Sequence, residues 1–107
     1  ILTRLLPKAV PPEQVHAAFA AHYANQRFVH VTALQGSDVL PDGFMSANPL
    51  AGSNDLEVFV CGNHDRILLC ARLDNLGKGA SGAAVQCMNL MIGAPEDTGL
   101  TSVYEKE

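Results

Sequence analysis

The chain has 107 residues, a formal net charge of −4, 48% hydrophobic and 17% charged residues, the composition of one globular domain or a piece of one. Its seven Lys and Arg are scattered, so no basic stripe is available to track a nucleic-acid backbone. The apolar runs fall short of the ~20 residues of a membrane span, and no signal-peptide pattern opens the sequence.

In chain order, Ile1–Leu6 reads as a strand that Pro7 ends, because proline has no N–H for a ladder. It begins mid-pattern without an initiator Met, as a piece of something longer would. Pro11-Pro12 opens a helix, with Glu13 suited to its positive end. Val15, Ala18, Phe19, His22 and Tyr23 recur at helical spacing as its inner face, and it is predicted to stop near Asn25. Residues 27–34 alternate as a two-faced strand. Residues 35–54 hold Gly36, Pro41, Gly43, Pro49 and Gly52, a long loop with a short strand expected near Phe44-Met45. Runs this long are usually functional or docked on a partner.

Residues 56–61 and 67–73 are apolar, β-branched-rich strands joined by a hairpin turn over Gly62–Arg66. The next stretch, Asp74–Gln86, reads Asp-Asn-Leu-Gly-Lys-Gly-Ala-Ser-Gly-Ala-Ala-Val-Gln. Gly77 and Gly79 bracket Lys78, and small residues follow, which let a backbone approach a ligand or another element closely. As a glycine loop opening a helix, it would offer free N–H groups and one cation to an anion. The helix is predicted from Ser81 to Ile92, with Ala84, Val85, Met88, Met91 and Ile92 as its apolar face. Gly93 caps it and Pro95 prevents its continuation. Residues 96–107 read as a polar arm or disordered tail. The sum is an α+β fold with a mostly antiparallel sheet, from which the last helix is detachable.

Leu73–Gln86, followed by Met88-Asn89-Leu90-Met91-Ile92-Gly93, resembles the C-terminal signature of the N-acetyl-γ-glutamyl-phosphate reductases, the NADPH-dependent enzymes that form the semialdehyde in arginine biosynthesis. Gly52-Ser53-Asn54, Ile1-Leu2-Thr3 and Pro95–Leu100 resemble further segments of that family. The resemblance implies the C-terminal substrate and dimerisation domain of glyceraldehyde-3-phosphate-dehydrogenase-like enzymes. Residues 1–73 would be part of that α+β domain. Residues 74–107 would be a segment returning to pack on an N-terminal dinucleotide-binding domain outside this chain. It also implies a cytoplasmic homo-oligomer acting on N-acetyl-glutamyl phosphate, with no nucleic-acid or membrane partner. The family's nucleophilic cysteine motif, its general-base histidine and its glycine-rich phosphate fingerprint have no counterpart here, so the chain alone would be inactive. Aspartate-semialdehyde dehydrogenase shares the Asp-Asn-basic-Gly-Ala pattern and is the nearest alternative within the class. A non-catalytic interaction domain that keeps the sheet is the alternative outside it.

The residues themselves leave choices open. Asn75 reads alone as an Asx turn; the resemblance instead places its amide, with a donor and an acceptor, on the nicotinamide carboxamide of NADP. Lys78 faces the cofactor's phosphates or solvent. Gly79 needs either an unusual φ or a close approach, and the resemblance puts it with the cofactor. Ser81 and Gly82 read as a cap with tight packing. Gln86 and Asn89 fall on the polar side of the last helix, where solvent is the default. Cys61, Cys70 and Cys87 are unpaired by spacing and read as packing residues of a reducing compartment. His16, His22, His30 and His64 have no carboxylate or thiol at metal or dyad spacing, so no metal is expected.

Overall fold

The computed structural model describes residues 2–34 and 40–105. Ile1, residues 35–39 (with Gly36 of the expected loop) and the last two residues of the expected tail lie outside the described residues. The elements are a 3-10 turn at Thr3–Leu5, helix α1 (Pro12–His22), strand β1 (Val29–Val31), a second 3-10 turn at Pro41–Gly43, strands β2 (Leu56–Gly62) and β3 (Ile67–Leu73), a π-helical turn at Gly77–Ser81 and helix α2 (Gly82–Met91). This is α+β, as expected. The three strands lie in the order β1-β2-β3. The sheet is mixed rather than mostly antiparallel. A hairpin of this length makes β2 and β3 antiparallel, so the parallel pairing falls to β1 and β2, across a connection long enough to cross over.

The chain divides into two compact units, residues 1–46 with 57–71, and residues 47–56 with 72–107. The first has an apolar core of Phe28, Val58, Phe59, Val60 and Ile67, all buried. Pro12 occupies the first turn of α1, where its missing N–H is no loss. The inner stripe of α1 is Val15, His16, Phe19, Ala20 and Tyr23, half-buried, whereas Ala18 and His22 of the expected face are exposed. The stripe turns because His16 Nε2 donates to the Thr32 carbonyl at 2.7 Å, which rotates that side of the helix toward the strand.

The expected first strand contracts to a single antiparallel bridge, Leu2 to Arg66. Thr3 diverts the chain. Its N–H bonds the Asp65 carbonyl at 2.9 Å, and its hydroxyl lies 2.7 Å from the His64 carbonyl and 3.0 Å from that of Asp65. A side chain that bonds backbone carbonyls in this way competes with a ladder. The hairpin turn forms where expected. Asn63 Oδ1 accepts the N–H groups of Asp65 and Arg66 at 2.9 and 3.0 Å, an Asx turn. No strand forms at Phe44-Met45, and Phe44 is 77% exposed.

The second unit is built differently. Its buried residues are Leu50, Gly82 and the polar Ser53, Asn54, Asp55 and Asn89. Helix α2 turns Gly82, Val85, Gln86 and Asn89 inward, at i, i+3, i+4 and i+7. Of its expected apolar face only Val85 turns in; Ala84 is exposed, Met88 is 52% exposed, Met91 86% and Ile92 70%. The helix is amphipathic with its polar face inside this unit, which reverses the expectation that Gln86 and Asn89 face solvent. Asn89 Nδ2 donates to the carbonyls of Glu96 and Thr98, at 3.0 and 2.9 Å. Gly93 ends the helix with φ +71°, as its composition indicates.

The tail is no free arm. The Asn54 N–H bonds the Thr101 carbonyl at 2.8 Å. Asp55, fully buried, accepts the Ser102 hydroxyl at 2.9 Å and the Val103 N–H at 2.7 Å. Residues 96–103 are thereby strapped down by side chains whose tail partners cannot be read from composition.

Candidate functional site

The Asp74–Gln86 segment lies in the second unit. From Leu76 on it is continuous helical backbone rather than a loop. Leu76 already has helical angles, φ −88° and ψ −28°. Three i→i−5 bonds follow: Gly79 N–H to the Asp74 carbonyl at 2.9 Å, Ser81 N–H to Leu76 at 3.2 Å, and Gly82 N–H to Gly77. A π-turn therefore runs straight into α2. It consumes the N–H groups that a loop-then-helix reading leaves free for an anion.

The Leu76 and Gly77 N–H groups at the helical start are met by the Asp74 carboxylate. Asp74 Oδ1 accepts the Leu76 N–H at 3.2 Å, and Oδ2 accepts the Gly52 N–H at 2.8 Å. These bonds, Gly52 first, then Leu76 and finally Gly77, hold the Asp74 carboxyl below its ordinary range. The positive end of the helical segment is therefore met by the Asp74 carboxylate rather than left open as the positive pole read from the sequence.

Lys78 points away from that pole. Its Nζ donates to Gln86 Oε1 at 2.6 Å. Gln86 Oε1 also accepts from Asn54 Nδ2 at 2.8 Å, and Gln86 Nε2 donates to Glu96 Oε1 at 2.7 Å. Partial burial lowers the Lys78 pKa, opposed by the negative charges of Glu96, Cys87 and Asp55. The relay fixes every amide in it. Glu96 can only accept, so Gln86 presents its oxygen to Lys78 and Asn54. Asn54 then turns its own oxygen the other way. That atom is buried with no hydrogen-bond partner among the described residues. It packs against the bare α-carbon of Gly82, in the space a Cβ would fill, and a Cα–H···O contact is what this geometry offers it.

Each small residue now has a specific neighbour. A Cβ on Gly77 would strike the Ser53 carbonyl, and one on Gly82 would strike Asn54 Oδ1 and come within 2.7 Å of the Gly77 oxygen. The close approach implied by these glycines is made to the Gly52-Ser53-Asn54 segment. Gly79 has no positive φ. A Cβ there would lie 3.1 Å from Leu73 Cδ1 and 3.4 Å from Asn75 Oδ1. Asn75 itself is exposed at the crest of the turn. Ser81 is no cap; its backbone is helical, and its hydroxyl lies 2.8 Å from the Leu76 carbonyl and donates to it.

Residue-by-residue reading missed Asp74, Gly52, Asn54 and Gln86 as the groups that hold this turn. The signal was present in part, since Gly52-Ser53-Asn54 and the spaced glycines each stand out, but their pairing is a tertiary fact. Cys61, Cys70 and Cys87 are all free thiols. Burial, and then the neighbouring Cys70, push the Cys61 thiol up, which disfavours it as a nucleophile. Among the described residues, no group of His, Cys, Asp and Glu is placed to hold a metal ion, and no helix is long and apolar enough to cross a membrane.

No family model matches the chain. Individual proteins do. The chain is 50% identical over 95 residues to N-acetyl-gamma-glutamyl-phosphate reductase 2 of Nostoc sp., covering 84% of this chain and 30% of that protein. It is 48% identical over 95 residues to the N-acetyl-gamma-glutamyl-phosphate reductase of Burkholderia lata, covering 87% and 30%. It is 51% identical over 82 residues to that of Brucella ovis, covering 75% and 26%. The chain thus spans about 30% of the length of the curated relatives it matches, a C-terminal portion of each.

Proposed function

We propose that this chain is the C-terminal part of an NADPH-dependent N-acetyl-gamma-glutamyl-phosphate reductase. The observation that carries the reading is identity near 50% over 84% of the chain with proteins of that name. In the intact enzyme, a cysteine outside this chain attacks the acyl phosphate of N-acetyl-glutamyl phosphate and expels phosphate, leaving a thioester. NADPH, when bound, supplies the hydride that reduces it, and the aldehyde leaves as the thiolate is regenerated. A thiolate suits both steps, as nucleophile and as leaving group.

This chain's share is the α+β substrate and dimerisation domain of the glyceraldehyde-3-phosphate-dehydrogenase-like type, and the ring-side turn. Residues 1–73 belong to the former and residues 74–107 to the returning segment. Asn75 offers the coenzyme carboxamide a matching donor and acceptor from an exposed position. Gly79 leaves the space beside that amide clear. Lys78, held by Gln86, contributes its charge to the turn through the local field. Nothing else in the segment suits the phosphates, since Asp74 already occupies the helix start; those contacts fall to the N-terminal dinucleotide-binding domain. The outward apolar side chains Leu76, Met88, Leu90, Met91 and Ile92 support packing of α2 on that domain, because an exposed row of this size marks a covered surface. The enzyme is a cytoplasmic homo-oligomer.

The test is NADPH oxidation by the intact protein, with N-acetyl-glutamyl phosphate and aspartyl phosphate in parallel. Turnover of the first is expected. Preference for the second makes the protein an aspartate-semialdehyde dehydrogenase, and turnover of neither leaves a non-catalytic interaction domain.

A further inference from the structure

We propose that Asp74 is a positioning residue for the coenzyme contact of Asn75, an inference that rests on the reading of Asn75 given above. Asp74 is tied from three directions. Its Oδ2 takes the N–H of Gly52, 22 residues away in sequence, at 2.8 Å. Its Oδ1 takes the Leu76 N–H at 3.2 Å. Its main-chain carbonyl takes the Gly79 N–H at 2.9 Å. Residues 75–78 therefore form a closed turn whose start is fixed to the Gly52 backbone. Asn75 is the first residue of that turn and is exposed, so its position is set by its neighbours.

The carboxylate form is required. Two donors arrive at two different oxygens, and the N–H of Gly77 adds a third bond. A carboxylate accepts at both oxygens, whereas an isosteric amide has one acceptor and would set its own N–H2 against a backbone N–H. Substitution by Asn thus releases either the bridge to Gly52 or the cap on Leu76 while keeping the side chain's volume. A shift of about 1 Å at a group that orients a reactant can cost on the order of 100-fold in rate, so a modest loosening of this turn is enough to be read kinetically.

The experiment is a double-mutant cycle in the intact protein, with NADPH as the varied substrate: Asp74→Asn, Asn75→Ala and the two combined. Asn75→Ala is expected to lower kcat/KM for NADPH about ten-fold, the loss of one well-placed polar contact. Asp74→Asn is expected to lower it about five-fold or more through the same contact, with KM for the acyl phosphate unchanged. The combined variant is expected to be no slower than Asn75→Ala alone, because a residue acting through Asn75 has nothing left to act through. A purely structural Asp74 would instead lower the melting temperature equally with or without Asn75 and leave the kinetic losses to multiply; multiplicative losses overturn the proposal. So does a full-rate Asp74→Asn beside a slow Asn75→Ala, which leaves the reading of Asn75 standing. A full-rate Asn75→Ala removes that reading and this proposal together. If Asp74→Asn does not fold, Asp74→Ser carries the same cycle, since a serine oxygen still caps the helical start and gives up the bridge to Gly52.

Discussion

A methyl group at position 82 tests the packing of the glycine segment, because two well-calibrated effects predict opposite signs there. Gly82 is the first residue of α2, and on helix propensity alone Gly→Ala gains about 1 kcal/mol. The tertiary surroundings forbid it. The new Cβ would strike Asn54 Oδ1 and lie 2.7 Å from the Gly77 oxygen and 2.8 Å from its carbonyl carbon. Neither neighbour can yield cheaply. The Gly77 carbonyl is the acceptor of the Gly82 N–H, and Asn54 is buried with its amide committed to Gln86. Overpacking of this kind costs about 1–3 kcal/mol, and displacing Asn54 from a buried hydrogen bond adds about 1–3 kcal/mol. Against the propensity gain, the net expectation is a loss of about 3 kcal/mol. Urea unfolding followed by far-ultraviolet circular dichroism reads it as a lower midpoint at unchanged slope. Gly79→Ala is the control: its nearest neighbour is the flexible end of Leu73, at 3.1 Å, so its stability is expected to stay within about 0.5 kcal/mol of the parent. A Gly82→Ala variant as stable as the parent, or more so, would refute the packing argument.

Three further outcomes follow from the same wiring. Asp55→Ala removes the acceptor of both the Ser102 hydroxyl and the Val103 N–H; hydrogen exchange at the Val103 amide is expected to quicken about ten-fold or more, and unchanged protection would remove Asp55 as the anchor of the tail. The Asp74 carboxyl titrates below its ordinary value in the folded chain, so its contribution to stability is complete above the unfolded-state pKa and disappears as the pH falls through the folded one. The urea midpoint is therefore expected to fall on acidification below about pH 4, less steeply in Asp74→Asn; equal slopes in the two proteins would contradict this. Iodoacetamide at pH 8 is expected to alkylate Cys87, which is exposed, first, and Cys61, whose thiol burial pushes up, last; site-by-site mass spectrometry gives the order, and early loss of Cys61 would oppose it.

What the sequence discloses and what it withholds divide along the range of the interactions involved. Helix α1 starts at its proline pair, the hairpin turns on Asn63, and α2 stops at Gly93, each a local signal with a local cause. The strand expected at residues 1–6 fails because Thr3 finds carbonyls more than 60 residues away, which no periodicity registers. The mixed sheet escapes for a related reason, since β1 spans three residues and its direction is set by pairing rather than by composition. The tail escapes because its order depends on buried polar groups elsewhere in the chain, Asn54, Asp55 and Asn89.

Helix α2 carries the sharpest reversal, and its cause bears on function. Period and hydropathy correctly identify two faces, and the ordinary inference sends the apolar one inward. In this unit the polar face is the inner one, because the space beneath it is filled by a relay from Glu96 through Gln86 to Lys78 and Asn54. Such a relay suits orientation better than stability: each of its hydrogen bonds is worth about 1 kcal/mol net, but together they leave Gln86 and Asn54 one arrangement each. The result is a helix whose register against Gly52-Ser53-Asn54 is fixed by directional bonds while Met88, Met91 and Ile92 stay outside. If that outer row is a docking face, Met91→Lys leaves the stability of the isolated chain within about 0.5 kcal/mol, as a surface substitution does. In the intact protein it costs about 1–3 kcal/mol, the burial of one large apolar side chain. Calorimetry of both forms separates the two cases, and equal behaviour in chain and intact protein would mean that the row is simply surface.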